Sequence, residues 1–421
     1  MKRFDWRDDV DFWLDAELSF LVPPSIKEAT VTFKWDVKKK KGSNFYCLAE
    51  DYRGAGVAIV NAIFDSNGNV RLEDFAHYPA VFCLRHSLEL LLKGVVLCNI
   101  KDRKVQNQAL KSHDLSMIWH LCQERNIVAH SNRNGWLTKY LKSISEWDRN
   151  EAEYRYEFSV QFDEQIKGQS INLEDTFSKL IMAYNEIIRE CEVDQLELTG
   201  LEEDFTLAPE FLVIDNKCWA LGCPGHYPDN IINSENKLYD RSAKVKEFFN
   251  TKDVGYDEAI DILVRTEEID LQKKLLPLLY LMYVDFEVLL KKFNISVLYF
   301  TQFEESSLSR GKWGYPSGLN EHSLQKLWAA SSEFREQNKI WNAIESHSSQ
   351  VPIEKAINAL DSLSKAGELL KYPISRGGSY DLNFNFKKQT DLTTVDFQSV
   401  VAFLYRGIYL LRLDIDKILA N

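Results

Sequence analysis

The chain carries one pattern twice. Leu88-Glu89-Leu90-Leu91-Leu92-Lys93 returns as Phe286-Glu287-Val288-Leu289-Leu290-Lys291, and His113-Asp114-Leu115 followed by Trp119 returns as His322-Ser323-Leu324 followed by Trp328. The matched positions lie 198 residues apart at Glu89 and Glu287, 209 at His113 and His322, and 216 at Tyr156 and Tyr372. Order is kept and the offset only grows. Two copies of one unit, the second with longer loops, behave this way. A length of 421 residues independently calls for about two domains. The most polar break, Glu197 to Asp204, places the boundary so that 1–200 form the first unit, with a short N-terminal extension, and 201–421 the second.

Hydrophobic content of 45% with 27% charged residues describes an ordinary globular chain rather than a disordered one. A formal charge of -12 excludes a surface that is basic overall, although it says nothing about local patches. Seven cysteines without a regular spacing, several inside apolar helical stretches, fit a reducing cytoplasm. The N-terminal residues lack the apolar run of a signal peptide, and no stretch approaches the ~20 apolar residues that span a bilayer. No membrane association is expected.

Periodicity predicts a mainly α chain in which each unit adds a short strand or hairpin. In the first unit, Thr30 to Val37 alternates as a strand, and helices are expected over Phe45–Phe64, Ala80–Leu97, from Leu115 to about Glu124, and from Trp136 to about Tyr156. A strand-like run at Phe158, Val160 and Phe162 then precedes a last helix from Phe177 to Ile188. The second unit is expected to begin with a hairpin through Phe211–Leu221. Its helices follow from near Tyr239, from about Leu275 to Phe293, from His322, a fourth ended by Tyr372-Pro373, and from Phe397 to about Leu419. A run alternating at Leu382, Phe384 and Phe386 precedes the last of these. Gly54 and Gly56 lack a preceding strand, so they read as helix-packing positions and not as a dinucleotide loop. Cys218, Cys223 and His226 offer three ligand types but no fourth at useful spacing, and no metal is assigned. Lys38 to Lys41 reads as a solvated turn.

The words His86-Ser87-Leu88-Glu89-Leu90-Leu91-Leu92-Lys93, His113-Asp114-Leu115 and Arg155-Tyr156, in that order, resemble the HEPN superfamily of small helical domains. The first unit departs from the family's third word, since Glu157 replaces the proline. The second has Tyr372-Pro373 but carries Lys371 for the arginine and Ser323 for the aspartate. The resemblance implies two tandem HEPN-like helical bundles, the second degenerate, of a kind that often dimerises. It also implies RNA-directed action in prokaryotic antiviral defence, toxin-antitoxin or stress systems. Members of the family are either metal-independent endoribonucleases or non-catalytic modules that bind nucleotides or partner proteins.

The ribonuclease members share an Arg, four to six residues, His motif that meets its copy across a dimer, and Arg125-Asn126-Ile127-Val128-Ala129-His130 is similar to it. The resemblance thus points to Arg125 for phosphate binding and charge stabilisation. His130 would take the 2'-hydroxyl proton or protonate the leaving oxygen, with no cofactor. The plainer alternative places Arg125 as a cation at a helix C-terminus and His130 in a polar loop. The second unit has no equivalent pair, so a working nuclease would need a second chain, a homodimer or a partner protein of the same system. Glu89 with Lys93, and Glu287 with Lys291, stand i to i+4 and suit a structural clamp. A polar core of Glu89, Lys93, His113 and Arg155, with Arg85 and His86 on the same helix, is the second candidate site, for RNA, nucleotide or phosphate.

Overall fold

The computed structural model of the chain describes residues 30–32, 41–66, 68–69, 71–129, 134–147, 172–198, 208–210, 255–267, 269–304, 322–337, 347–363, 367–373 and 394–420. Nearly all of them are helical. In chain order the helices are α1 (Lys41–Asp65), α2 (His77–Asn99), α3 (Arg103–Lys111), α4 (Leu115–Glu124), α5 (Asn134–Trp147) and α6 (Leu173–Glu190). There follow α7 (255–265), α8 (Leu271–Glu304), α9 (Leu324–Gln337), α10 (His347–Leu363), the short α11 (Glu368–Lys371) and α12 (Phe397–Ala420). Outside the helices, Thr30–Thr32 runs antiparallel to Thr394–Asp396 with Val31 opposite Val395. No helix among the described residues is long and apolar enough to cross a membrane.

Two long helices, α2 and α8, organise the core. Eleven successive residues of α2 from Val81 to Leu91 are buried, so it presents no solvent face there and must be enclosed on every side. Helices α1, α4 and α6 enclose it, while α9, α11 and α12 pack on α8 and α10 packs on α12. Helix α1 also packs on α8, joining the N-terminal and C-terminal helices through one apolar core. The α1–α2 contact is close because glycines line it. A Cβ on Gly42 would sit 2.6 Å from the Gly94 carbonyl oxygen, and one on Gly56 would sit 2.8 Å from Leu84 Cγ. Gly54 has no such neighbour and meets only Ile269 at 4.0 Å.

Both long helices carry a proline near their start, Pro79 and Pro277. A proline cannot donate to the carbonyl four residues earlier, so Pro79 leaves Phe75 without its helical partner. There the chain adopts a π-helical turn, Leu72–Ala76, and Gly255 lies against the Phe75 carbonyl so closely that no side chain fits. Helix starts follow ordinary capping. Asp102 accepts from Lys104 N at 2.9 Å, Asp114 from Met117 N at 3.0 Å and Asn172 from Asp175 N at 3.0 Å.

Several expected boundaries move. Helix α3 was not expected, because only Val105 and Ala109 of its nine residues are buried, with Leu110 packed at the edge of the core, and the apolar period is too thin to read. Helix α8 starts earlier than Leu275, where Lys274 Nζ donates to the carbonyl of Thr266 at 2.7 Å and ties the first turn down. Helix α9 begins at Leu324 and not at His322, since Ser323 Oγ accepts from Lys326 N. The far end of the expected fourth helix, the runs at 158–162 and 382–386, the hairpin at 211–221, the start near Tyr239, Lys38–Lys40 and Cys218, Cys223 and His226 lie outside the described residues.

Candidate functional site

Midway along α2, four side chains converge on one carboxylate. Glu89 accepts from Lys93 Nζ at 2.7 Å, from Arg85 Nη1 at 3.1 Å and from His113 Nδ1 at 3.2 Å. The fourth donor is Tyr372, whose hydroxyl lies 2.6 Å from Glu89 Oε1 and 3.1 Å from His113 Nδ1. Helical spacing places Arg85 and Lys93 one turn to either side of Glu89. The cap of α4 delivers His113, whose backbone carbonyl accepts from Arg85 Nη2 at 2.8 Å. Side chains of Arg85, Glu89 and Lys93 are fully buried.

Burial alone would raise the Glu89 carboxyl. Lys93, His113 and Arg85 outweigh it and hold the group well below the usual carboxylate range. Two full cations face this carboxylate, and each makes a further contact. Arg85 uses the His113 carbonyl, and Lys93 Nζ lies 4.3 Å over the Tyr372 ring.

An equivalent arrangement sits on α8. Glu287 accepts from Lys291 Nζ at 2.7 Å and from His322 Nδ1 at 2.9 Å. Where Arg85 serves the His113 carbonyl, Tyr283 donates to the His322 carbonyl at 2.7 Å. Its hydroxyl also lies 3.1 Å from Asp361, whose other oxygen accepts from Ser323 Oγ. Burial opposes ionisation of Glu287, yet Lys291 and His322 bring its pKa down to about 2. The two clusters differ in cover. His113 is 20% exposed beneath Tyr372, whereas His322 is 53% exposed.

Contacts between the N-terminal and C-terminal helices gather beside the first cluster. His86 Nε2 lies 3.1 Å from the Lys371 carbonyl, which fixes the hydrogen on that nitrogen because a carbonyl only accepts. Tyr52 donates to the Leu370 carbonyl at 3.1 Å. The Phe82 ring stacks on Tyr280 with centroids 5.1 Å apart, and these two residues are also 198 positions apart.

Of the residues singled out from sequence, Arg85, Glu89, Lys93 and His113 are therefore brought together, and His86 is buried one face away against Tyr52, Phe82 and Tyr372. Arg125 lies elsewhere. It caps the C-terminus of α4, is 49% exposed and stands 3.8 Å from Asp102. Asn126 takes φ 53 and Ile127 N returns to the Cys122 carbonyl at 3.1 Å, an αL helix ending for which asparagine is well suited. His130 and Arg155 lie outside the described residues. Sequence reading missed Tyr372 as a partner of Glu89, and Tyr283 as the counterpart of Arg85. Extending the 198-residue offset beyond the glutamates, to Pro79 with Pro277, Phe82 with Tyr280 and Arg85 with Tyr283, would have found the second. Compared with protein-family models, curated proteins and solved structures, the chain matches none.

Proposed function

We propose that the chain is a tandem of two HEPN-like units joined as an internal pseudo-dimer, and that it works as a non-catalytic binding or regulatory module of a prokaryotic RNA-directed defence or stress system. The pseudo-dimer is supported by the meeting of Phe82 with Tyr280, because a face that touches its own counterpart is the mark of a two-fold interface. The observation that carries the non-catalytic reading is the closed state of the Glu89 cluster. Its carboxylate is filled by Lys93, Arg85, His113 and Tyr372, so an incoming phosphate would have to displace a buried carboxylate from two cations. The polar cluster of the first unit thus serves the joint, through Tyr372.

Metal-independent RNA cleavage through Arg125 and His130 is the second reading, favoured by the exposure of Arg125. Arg125 lies beside the C-terminal end of α2, roughly 25 Å along the helix from Phe82 at ~1.5 Å per residue. That separation keeps it out of the joint, and a composite site would need a second chain. Incubating the pure protein with mixed RNA in EDTA, beside Arg125→Ala and His130→Ala variants, separates the readings. The expected result is no cleavage that depends on either residue. Cleavage by the wild type, lost in both variants and rising more than proportionally with protein concentration, would establish the nuclease instead.

A further inference from the structure

We propose that the solvent face of α3, with the adjoining end of α4, is a docking surface for the phosphodiester backbone of a nucleic acid. Between Lys101 and Lys142 the sequence holds eight Lys or Arg against three Asp or Glu, in a chain whose formal charge is -12. Within that stretch α3 turns Val105 and Ala109 inward and exposes Arg103, Lys104, Asn107, Gln108 and Lys111. The exposed face of α3 therefore combines cations with amides and contains no carboxylate. Lys101 precedes it and Arg125 stands beside its N-terminus, both exposed.

The acids at its edge are already engaged. Asp102 accepts from Lys104 N at 2.9 Å and faces Arg125, while Glu124 pairs with His120 at 3.2 Å. Cations with Asn and Gln are the side chains that contact phosphate and sugar. A protein partner would call for an apolar anchor. The large apolar residues exposed among the described ones, Phe64, Leu198 and Tyr409, all lie on other elements. This inference stands on charge placement and holds whether or not the chain is HEPN-like.

Anisotropy of labelled single-stranded RNA and DNA of one sequence tests it at ~50 mM salt, where backbone contacts are strong. The wild type is compared with Arg103→Ala/Lys104→Ala/Lys111→Ala and with Arg265→Ala/Lys326→Ala/Lys355→Ala, which removes the same charge elsewhere. We expect binding by the wild type, weakened at least tenfold in the α3 variant and little in the other. The salt slope should become shallower by about 2, the value for three lost contacts to a single strand. Lys104→Glu alone should weaken binding in the same direction if the triple variant folds poorly. Equal binding of RNA and DNA supports recognition of the backbone, and preference for RNA adds the sugar hydroxyl to it. No binding by the wild type, or equal loss in both triple variants, would overturn the proposal.

Discussion

Tyr372 donates its phenolic hydrogen to Glu89 at 2.6 Å, across 283 positions of sequence. A tyrosine that follows the short helix α11 thereby completes the coordination of a buried charge on α2. The consequence is energetic coupling between distant parts of the chain, because neither the carboxylate nor the cations around it can be left without partners inside a core.

Tyr372→Phe keeps the ring over Lys93 and removes only the hydroxyl. Hydrogen bonds to charged groups contribute about 2 kcal/mol, and for a cooperative unit of this length the melting midpoint should fall by roughly 2 to 3 °C. Calorimetry checks this, and an unchanged midpoint would mean that the hydroxyl adds nothing to the cluster.

Glu89→Gln should be more damaging than Glu287→Gln. The first removes the carboxylate shared by Arg85 and Lys93 at a fully buried site, a loss of about 3 to 5 kcal/mol, while the second removes an acceptor of Lys291 beside a half-exposed His322. Soluble yield and urea midpoints of the two variants give the order. The reverse order would show that the cover by Tyr372 matters less than its geometry suggests.

Acid should unfold the protein through these carboxylates. The folded-state pKa of Glu287 lies at about 2, below its ordinary 4.5, so the stability it contributes is full above about 4.5 and is lost as pH falls towards about 2. Glu89 acts in the same direction. Asp51 acts in the opposite one, since burial raises its pKa from 3.8 to about 8 despite Lys273. The folded chain then keeps a proton that the unfolded chain releases, and stability falls as pH rises from 3.8 to about 8. Asp51→Asn should therefore raise the melting midpoint at pH 8 and leave it nearly unchanged at pH 4. A gain of the same size at both values would assign the effect to something other than this proton.

Gly42→Ala should separate α1 from α2. The added methyl group would meet the Gly94 carbonyl oxygen at 2.6 Å, and backbone cannot swing aside as a side chain can. A cost of about 1 to 3 kcal/mol is expected from overpacking of this kind. Gly54→Ala, with only Ile269 at 4.0 Å, serves as the tolerated control in the same denaturation series.

Helical class and most helix positions were legible from sequence because α4 carries an apolar period behind its Asp114 cap, α6 an amphipathic period, and α1 and α2 apolar stretches too long for strands. The Glu89–Lys93 and Glu287–Lys291 pairs were legible from i to i+4 spacing, which helical geometry turns directly into contact. His113 could be assigned to the Glu89 cluster because its word recurs with Glu287 and His322. Tyr372 could not be assigned in the same way. Local spacing says nothing about which distant segment will cover a buried carboxylate, and the tyrosine had been matched by order to Tyr156 and not to a partner. Helix α3 escaped for the opposite reason, being held by a cap, two buried residues and the half-buried Leu110 where periodicity needs more. Arg125 shows the limit of a short motif. Its position at the end of α4 follows from helix capping, whatever else it does.

The reach of Tyr372 and the stacking of Phe82 on Tyr280 also mean that this polypeptide resists dissection. A fragment ending near residue 200 would lose the lid over Glu89 and lay bare Tyr52, Phe82 and His86, three rings that now sit against Tyr280, Leu370 and Lys371. Such a piece would be sticky and would offer its neighbours an adhesive aromatic wall. Work on either end of the molecule is therefore best done by substitution within the intact polypeptide rather than by cutting it in two.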